Sequence, residues 1–398
     1  MSPLFAGTGE TFSPAAFTAA LLLVGLVFLA CWVGHACLWT ATLNYLYGCP
    51  LPKRFLKVYR LLCGLVIIGF PILVCAGSAS GLPWPVKWYL IACGVMGLIV
   101  FPVISIGRLI RTKPAAILAE RTETVDYWKQ LGPAVVGDGK YRHVARLPLN
   151  DVFRVDFTDL TLAVPNLPPA WDGLRVLLLS DLHFCGTPSR GFFEAIVDRL
   201  AAEPPADLVL LAGDYLDTDT HHEWITPLLG RLRATEGKYA ILGNHDEKHQ
   251  PDNVRQELKL AGYCVLVNDW LEATVRGERC VLVGHEGPWF TPPPDLTDAP
   301  PEPFRLCISH TPDNFYWGQR NRVGLMLCGH VHGGQVRVPV VGSIFVPSIY
   351  GRRFDMGVFE GGGTVMVVGR GLSGKEPLRF RCRPQVIRLT LRPAGSVS

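Results

Sequence analysis

Hydrophobic positions are arranged in two different ways along this chain, and the change falls near residue 108. Before it come long apolar runs without a charge; after it come short ones, each bounded by polar residues, glycine or proline. No Asp, Glu, Lys or Arg occurs between Glu10 and Lys53. Within that gap the run from Ala15 to Trp39 exceeds the roughly 20 apolar residues that cross a bilayer core. Further uncharged stretches lie between Arg60 and Lys87 and between Lys87 and Arg108. A soluble helix needs a polar face, which these segments lack. The pattern predicts three transmembrane helices, at about 15–39, 61–80 and 88–107, with kinks at Pro71 and Pro102 that a helix bundle in lipid accommodates.

Charge sets the expected orientation. Lys53, Arg54, Lys57 and Arg60 follow the first span without an intervening acid, and Arg108, Arg111 and Lys113 follow the third. An excess of Lys and Arg marks the cytoplasmic side. The N-terminus is therefore expected outside, and everything after the third span in the cytoplasm. No basic region precedes the first apolar run, so a cleaved signal peptide is not expected. His35, a lone histidine in the first span, has no partner visible in the sequence and is assigned no role.

Residues 108–150 are mixed in character, with Lys113-Pro114 and Gly137-Asp138-Gly139 as breakers, and are read as a juxtamembrane linker. From residue 151 to 398 short β-rich runs such as Val152–Val164, Leu174–Leu179, Leu208–Ala212, Leu306–Ser309 and Leu325–Cys328 alternate with helix-like stretches at Phe192–Ala202 and Asn253–Ala261. Strands alternating with helices predict an α/β domain with a layered sheet. The division is thus 1–107 membrane domain, 108–150 linker and 151–398 catalytic-type domain. Composition changes little: the 49% hydrophobic content averages two unlike halves, and a net charge of +4 gives no ground for nucleic-acid binding. Twelve cysteines include no C-x-x-C pair, which argues against a zinc knuckle or a thioredoxin-like site.

Residues with ligand chemistry follow the buried runs repeatedly. Asp181 and His183 come after Leu177-Leu178-Leu179-Ser180, and Gly213-Asp214 after Leu208–Ala212. Gly243-Asn244-His245-Asp246 come after Ala240-Ile241-Leu242, His310 after Leu306–Ser309, and Gly329-His330-Val331-His332 after Leu325–Cys328. In open α/β sheets ligands gather beyond the carboxyl ends of strands. In D-x-H and H-x-H an extended backbone points residues i and i+2 to one side, and glycines 213, 243 and 329 allow sharp turns before a ligand. Any one of these motifs has an ordinary structural explanation; all of them in order make a metal site the natural reading. Carboxylate plus imidazole suits Mn, Fe or Zn, and the absence of thiolates argues against a soft metal.

That order of motifs resembles the calcineurin-like metallophosphoesterases over roughly residues 174–392. GHVHGGQVRVP, FVPSIYGRRF and GRGLSG are similar to elements of a membrane-associated bacterial branch. That branch includes general phosphodiesterases and enzymes that cleave UDP-2,3-diacylglucosamine in lipid A synthesis. The resemblance implies a layered α/β/β/α sandwich, two divalent ions (manganese expected, iron or zinc as alternatives) and an inner-membrane location. It implies that Asp181, His183 and His332 hold one ion, that Asn244, His310 and His330 hold the other, and that Asp214 bridges both. His245 would meet the substrate phosphate. One departure stands out: Gly284-His285-Glu286 replaces the acidic pair common in the family at this strand end.

Two cations about 3.5–4 Å apart clamp phosphoryl oxygens and lower the pKa of a bridging water, whose hydroxide attacks phosphorus in line. His245 would stabilise charge or protonate the leaving group. Asp246 is a candidate partner that orients His245 or a ligand, and Asp217, in GDYLD, is another. Gly369–Lys375 mimics a phosphate-binding loop, but Glu376 and Pro377 follow where a Ser or Thr and a helix are required. Arg352, Arg353, Arg370, Lys375, Arg379, Arg381 and Arg383 suit a diphosphate or an anionic lipid surface; the alternating arginines 379, 381 and 383 equally suit the wet face of an edge strand. Trp289 and Phe290 suit a substrate pocket or core packing. The favoured expectation is a phosphodiesterase or pyrophosphatase acting on a lipid-linked phosphate such as UDP-2,3-diacylglucosamine, giving the lipid monophosphate and UMP. The alternatives are a broad-specificity tethered phosphodiesterase or phosphatase, and an inactive membrane sensor.

Overall fold

The computed structural model describes residues 13–76 and 81–395. The chain divides into two compact units, one running to Leu43 and including Lys53–Arg111, the other comprising Asn44–Pro52 and Thr112–Ser398.

The first unit is built from helix α1 (Pro14–Tyr47) as far as Leu43, α2 (Lys53–Ala76) and α3 (Trp84–Leu109), each helix long and apolar enough to cross a membrane. Side chains such as Leu22, Ile68 and Leu73 are exposed, as expected of a surface meant for lipid. In α3 a π turn at Met96–Val100 precedes Pro102, easing the ring past the turn before it and absorbing the missing N–H bond. Helices α1 and α3 touch backbone to backbone: a Cβ added at Gly34 would lie 1.8 Å from the Cys93 carbonyl oxygen. Small residues permit such an approach in lipid. His35 does have partners, donating from Nε2 to the Val66 carbonyl (3.2 Å) and accepting at Nδ1 from the Tyr89 hydroxyl (2.6 Å). Helix α2 starts at Lys53, so Lys53, Arg54, Lys57 and Arg60 form its first two turns and not a loop. Lys and Arg are good helix formers, and apolar periodicity alone does not register them. Residues 77–80 of the predicted second span lie outside the described residues.

The second unit is a sandwich of two mixed sheets. The first sheet contains β1 (Ile117–Asp126), β2 (Arg154–Val164), β3 (Leu174–Leu179), β4 (Ala206–Leu211), β5 (Ala234–Ala240) and β6 (Cys264–Val265). The second contains β7 (Trp270–Val275), β8 (Glu278–His285), β9 (Phe304–Ser309) and β10 (Leu325–Cys328). After the short hairpin β11–β12 (Arg337–Val338, Gly342–Ser343), β13 (Gly357–Gly361) and β14 (Thr364–Val368) complete the second sheet. Strand β15 (Gln385–Pro393) returns to the first, giving the orders β1-β2-β15-β3-β4-β5-β6 and β13-β14-β10-β9-β8-β7.

Alternation along the strands explains the layers. Val176, Leu178, Leu208 and Leu210 face inward and pack with Leu306, Ile308, Leu325, Leu327, Val365 and Val367 of the other sheet. Their neighbours Leu177, Leu179, Val209 and Leu211 face outward onto α4 (Arg190–Ala202) and α5 (Pro251–Leu260) through Phe192, Phe193, Ile196, Val254 and Leu258. On the far side Cys307, Met326, Cys328 and Met366 pack under Phe315 and Phe354. Strands buried on both faces read as continuous apolar runs, and the result is the expected α/β/β/α sandwich.

The segment 108–150 differs from the linker reading. Its β1 pairs antiparallel with β2 from Ile117 to Asp126, and Val125, Tyr127, Val135, Val136 and Ala145 enter the core. Nearly all of β1 is exposed on both faces, so no apolar alternation announces it.

Candidate metal centre

Strands β3, β4, β5, β9 and β10 all end at one rim, and the residues that follow them turn into a common space. Backbone strain concentrates there: Asp181, His183, Asp214, His330 and His332 all have φ between 48° and 72°. Side chains other than glycine rarely adopt that conformation, and such residues cluster at functional sites. The D-x-H and H-x-H pairs therefore converge through left-handed turns and not through extended strand geometry. Gly213 shares the positive φ (88°). Gly243 is required for space: a Cβ there would lie 2.2 Å from Asp214 Oδ1 and 2.5 Å from His310 Cε1.

The geometry falls into two groups that share Asp214. In one, His183 Nε2 and His332 Nε2 are 3.3 Å apart, His332 Nε2 is 3.7 Å from Asp181 Oδ1, and His183 Nε2 is 3.5 Å from Asp214 Oδ2. In the other, His310 Nε2 is 3.0 Å from Asn244 Oδ1 and 3.4 Å from the same Asp214 Oδ2, with His330 alongside.

Backbone carbonyls and carboxylates only accept, and this fixes the tautomers. His183 donates from Nδ1 to Asp217 (2.9 Å), His310 from Nδ1 to the Ala212 carbonyl (2.8 Å) and His332 from Nδ1 to the Ser373 carbonyl (3.1 Å). Their Nε2 atoms are left facing the shared space. His330 is turned the other way: Nε2 donates to the Pro347 carbonyl (2.9 Å), and Nδ1 is buried without a hydrogen-bond partner. The orphaned buried Nδ1 of His330 costs free energy unless a cation lies beside it, and the His183 and His332 Nε2 atoms, 3.3 Å apart, must hold a proton or a cation between them. With carboxylates and one amide oxygen added, the donor set fits hard to borderline divalent ions.

Titration behaviour follows from the same contacts. Burial pulls His183 and His310 down, but Asp217 beside the first and Asp214 beside the second outweigh it and lift both to about 9. Burial dominates at His330 and His332 and holds them well below the ordinary histidine value. Burial also pushes Asp214 up, but His310 and His245 outweigh it and keep Asp214 well below the usual carboxylate range. At neutral pH His183 and His310 thus carry protons that a cation at Nε2 must displace. Metal affinity is expected to climb with pH toward about 9 and to level off above it, with protons released on binding at pH 7. Calorimetry in buffers of different ionisation heat measures this release; none at pH 7 contradicts the protonation of His183 and His310.

Two expected positioning residues take roles of their own. The buried Asp246 carboxylate does not orient His245. It accepts from the backbone N–H groups of Asp214 (2.8 Å), Tyr215 (2.8 Å), Leu216 (3.2 Å) and Gly243 (2.8 Å), locking the β4 and β5 loops together. Asp217 does the orienting: one oxygen accepts from His183 Nδ1, and the other makes a short contact with His245 Nδ1. Burial opposes ionisation of Asp217, but His245 and His183 outweigh it and hold it far below the usual carboxylate range. His183, Asp217 and His245 also lie close enough to suit an ion. Since both Asp217 oxygens are engaged by N–H groups, that trio is a hydrogen-bonded bridge.

Arg352 donates to the Val341 carbonyl, and Arg353 lies over the rings of Tyr316 and Phe354. Arg379 is not on a wet strand face. It is fully buried and donates to the carbonyls of His332 (3.0 Å), Arg370 (2.7 Å) and Ser373, bracing the His332 loop. The phosphate-loop mimic at 369–375 leads into no helix; Gly371 instead packs against the Asp181 side chain.

Two residues that the sequence leaves without a fixed role also adjoin the site. Trp289 covers the second group, its ring 4.6 Å from His330 and 5.5 Å from His310. Glu286, the departure at the end of β8, is buried and accepts from Leu242 N (2.7 Å) just ahead of Asn244, and from Arg255 (2.9 Å). A cleft of about 320 Å³ opens elsewhere along β3 and β4. Its arginines are engaged: Arg388 with Glu203 and Asp159, Arg233 with the Ala201 and Glu203 carbonyls, and Arg175 with the Pro205 carbonyl.

Comparison with known proteins agrees with this chemistry. The family model for calcineurin-like phosphoesterase matches residues 174–334. The phosphodiesterase YaeI of Escherichia coli is 33% identical over 54% of this chain and 82% of its own length. The uncharacterized metallophosphoesterase YkuE of Bacillus subtilis is 29% identical over 60% of this chain and 86% of its own. A transmembrane protein with metallophosphoesterase domain from Danio rerio is 25% identical over 59% of this chain and 57% of its own length.

Proposed function

The chain belongs to the calcineurin-like phosphoesterase family and is a membrane-associated, metal-dependent phosphoester hydrolase, and from that premise we propose that it cleaves phosphodiester or diphosphate bonds of a lipid-linked substrate with a pair of divalent ions. In this reading Asp181, His183 and His332 hold one ion, Asn244, His310 and His330 hold the other, and Asp214 serves both. The observation that carries it is Asp214 Oδ2, placed 3.5 Å from His183 Nε2 and 3.4 Å from His310 Nε2, one imidazole from each group.

When bound, such ions supply Lewis acidity toward phosphoryl oxygens and a water of lowered pKa. The chain supplies the rest. Asp217, held ionised, accepts the Nδ1–H of His245, so that a second proton, carried on Nε2 of the imidazolium, is the one that meets the leaving-group oxygen. The His245 side chain is 17% exposed, against 1% for His183 and 0% for His310, so it is the imidazole of the site most open to substrate. Trp289 closes the second group against solvent on one side.

A lipid-linked substrate explains why a hydrolase carries three spans, and UDP-2,3-diacylglucosamine is the specific proposal. Manganese is the proposed ion. The basic residues Lys53, Arg54, Lys57 and Arg60 and the later Arg108, Arg111 and Lys113 support a cytoplasmic active site at a bacterial inner membrane. The E. coli relative, named a phosphodiesterase, supports a second reading as a broad phosphodiesterase. Assay of the full-length protein with Mn²⁺ on UDP-2,3-diacylglucosamine and on bis-p-nitrophenyl phosphate separates the two, with products identified by mass spectrometry. The lipid monophosphate and UMP are expected from the first. Turnover of the second substrate alone removes the lipid proposal, and turnover of neither removes the hydrolytic one.

A further inference from the structure

The second unit includes the short segment Asn44–Pro52, which follows most of the first apolar helix in sequence. We propose that Asn44, Tyr47 and Gly48 are positioning residues for His330, acting through the irregular strap 344–349. The proposal rests on His330 being a metal ligand, as read above.

His330 offers Nδ1 to the shared space only while its Nε2–H is held by the Pro347 carbonyl. Pro347 lies in a strap that has no strand partner from Ile344 to Ile349, so its place depends on contacts from either side. Asn44, 2% exposed, provides one side: Nδ2 donates to the Ile344 carbonyl (3.2 Å) and Oδ1 accepts from Val346 N (3.0 Å). The pair imitates a strand neighbour. Tyr47 meets the Phe345 ring edge-on at 5.1 Å. Gly48 lies directly on the strap backbone, where an added Cβ would come within 2.5 Å of Ile349 N and 2.7 Å of the Ser348 carbonyl carbon. On the other side Asp313, three residues after His310, accepts from Ile349 N (2.9 Å) and from the Ser348 hydroxyl. The strap is thus clamped between Asn44–Gly48 and Asp313. Releasing one jaw frees Pro347, and with it the orientation of the His330 ring.

Hydrogen-bond partners of ligands typically contribute about 10–100-fold to metal affinity. Full-length Asn44→Leu and Gly48→Ala variants are therefore expected to bind one Mn²⁺ normally and the second roughly 10–100-fold more weakly by calorimetry. Excess Mn²⁺ should restore kcat with KM for a soluble diester unchanged. Asn44→Asp, which keeps an oxygen toward Val346 N, should fall between, and Tyr45→Ala, at an exposed neighbour, should match wild type. Wild-type affinity for both ions in Asn44→Leu and Gly48→Ala overturns the proposal. So does a kcat that excess Mn²⁺ fails to restore, since that marks a folding defect. Wild-type protein that binds two ions yet hydrolyses no diester sinks the functional reading and leaves this one standing.

Discussion

Replacement of Asp214 by asparagine is expected to lower turnover on the order of 10³-fold and to strip the protein of both ions. The carboxylate is 1% exposed and offers Oδ2 to an imidazole of each group, while Oδ1 accepts from His245 N at 2.8 Å. Asparagine preserves shape and keeps an oxygen for His245 N. It turns an uncharged –NH₂ toward His183 and His310, so donors face the place where two cations are to be held. A metal acting as a Lewis acid is worth several kcal/mol to a developing phosphoryl charge, and each 1.36 kcal/mol is tenfold in rate. Asp181→Asn and His310→Gln touch one group each and should lose one ion each. Elemental analysis of the purified variants beside kcat/KM decides the matter. An Asp214→Asn protein that keeps two equivalents of metal and stays within about tenfold of wild-type rate would remove Asp214 from its shared position.

The parts of this site that could be read in advance are those in which a strong local signal coincided with chemistry. Leu177–Leu179, Leu208–Leu211 and Leu325–Cys328 are buried on both faces, so their runs stand out, and the next polar residue marks a strand end. Asp181, Asp214, Asn244, His310, His330 and His332 follow such runs, and the structure brings them together. What stayed hidden depends on partners distant in sequence. Arg379 resembles Arg381 and Arg383 in the alternation; its burial is set by the carbonyls of His332, Arg370 and Ser373. Asp246 next to His245 invites a pairing, yet its side chain turns back onto the N–H groups of the β4 loop. Pro347 and Ala212 contribute only backbone oxygens, which no side-chain motif encodes. The edge strand β1 and the Asn44 contact were missed for the same reason: an exposed strand and a single buried amide leave no periodicity to find.

His245→Ala should show a loss that depends on the leaving group. With an alkyl phosphodiester, whose departing alkoxide needs a proton, general-acid catalysis is worth about 10²–10⁴-fold and that much should vanish. With bis-p-nitrophenyl phosphate the departing phenolate is stable without a proton, and the loss should stay below about tenfold. Asp217→Asn extends the test. Asp217 accepts from the Nδ1 atoms of both His183 and His245, and an amide can accept from only one of them with its single oxygen. The other imidazole then meets a donor and must shift its proton to Nε2. If that ring is His245, it loses the carboxylate that supports a proton on both nitrogens and becomes a poorer donor; if it is His183, a metal ligand is blocked. Asp217→Asn should therefore reduce turnover of both substrates, the alkyl diester more strongly, and weaken metal binding, which His245→Ala leaves intact. Equal losses of His245→Ala on the two substrates would mean that the imidazole binds phosphate and transfers no proton.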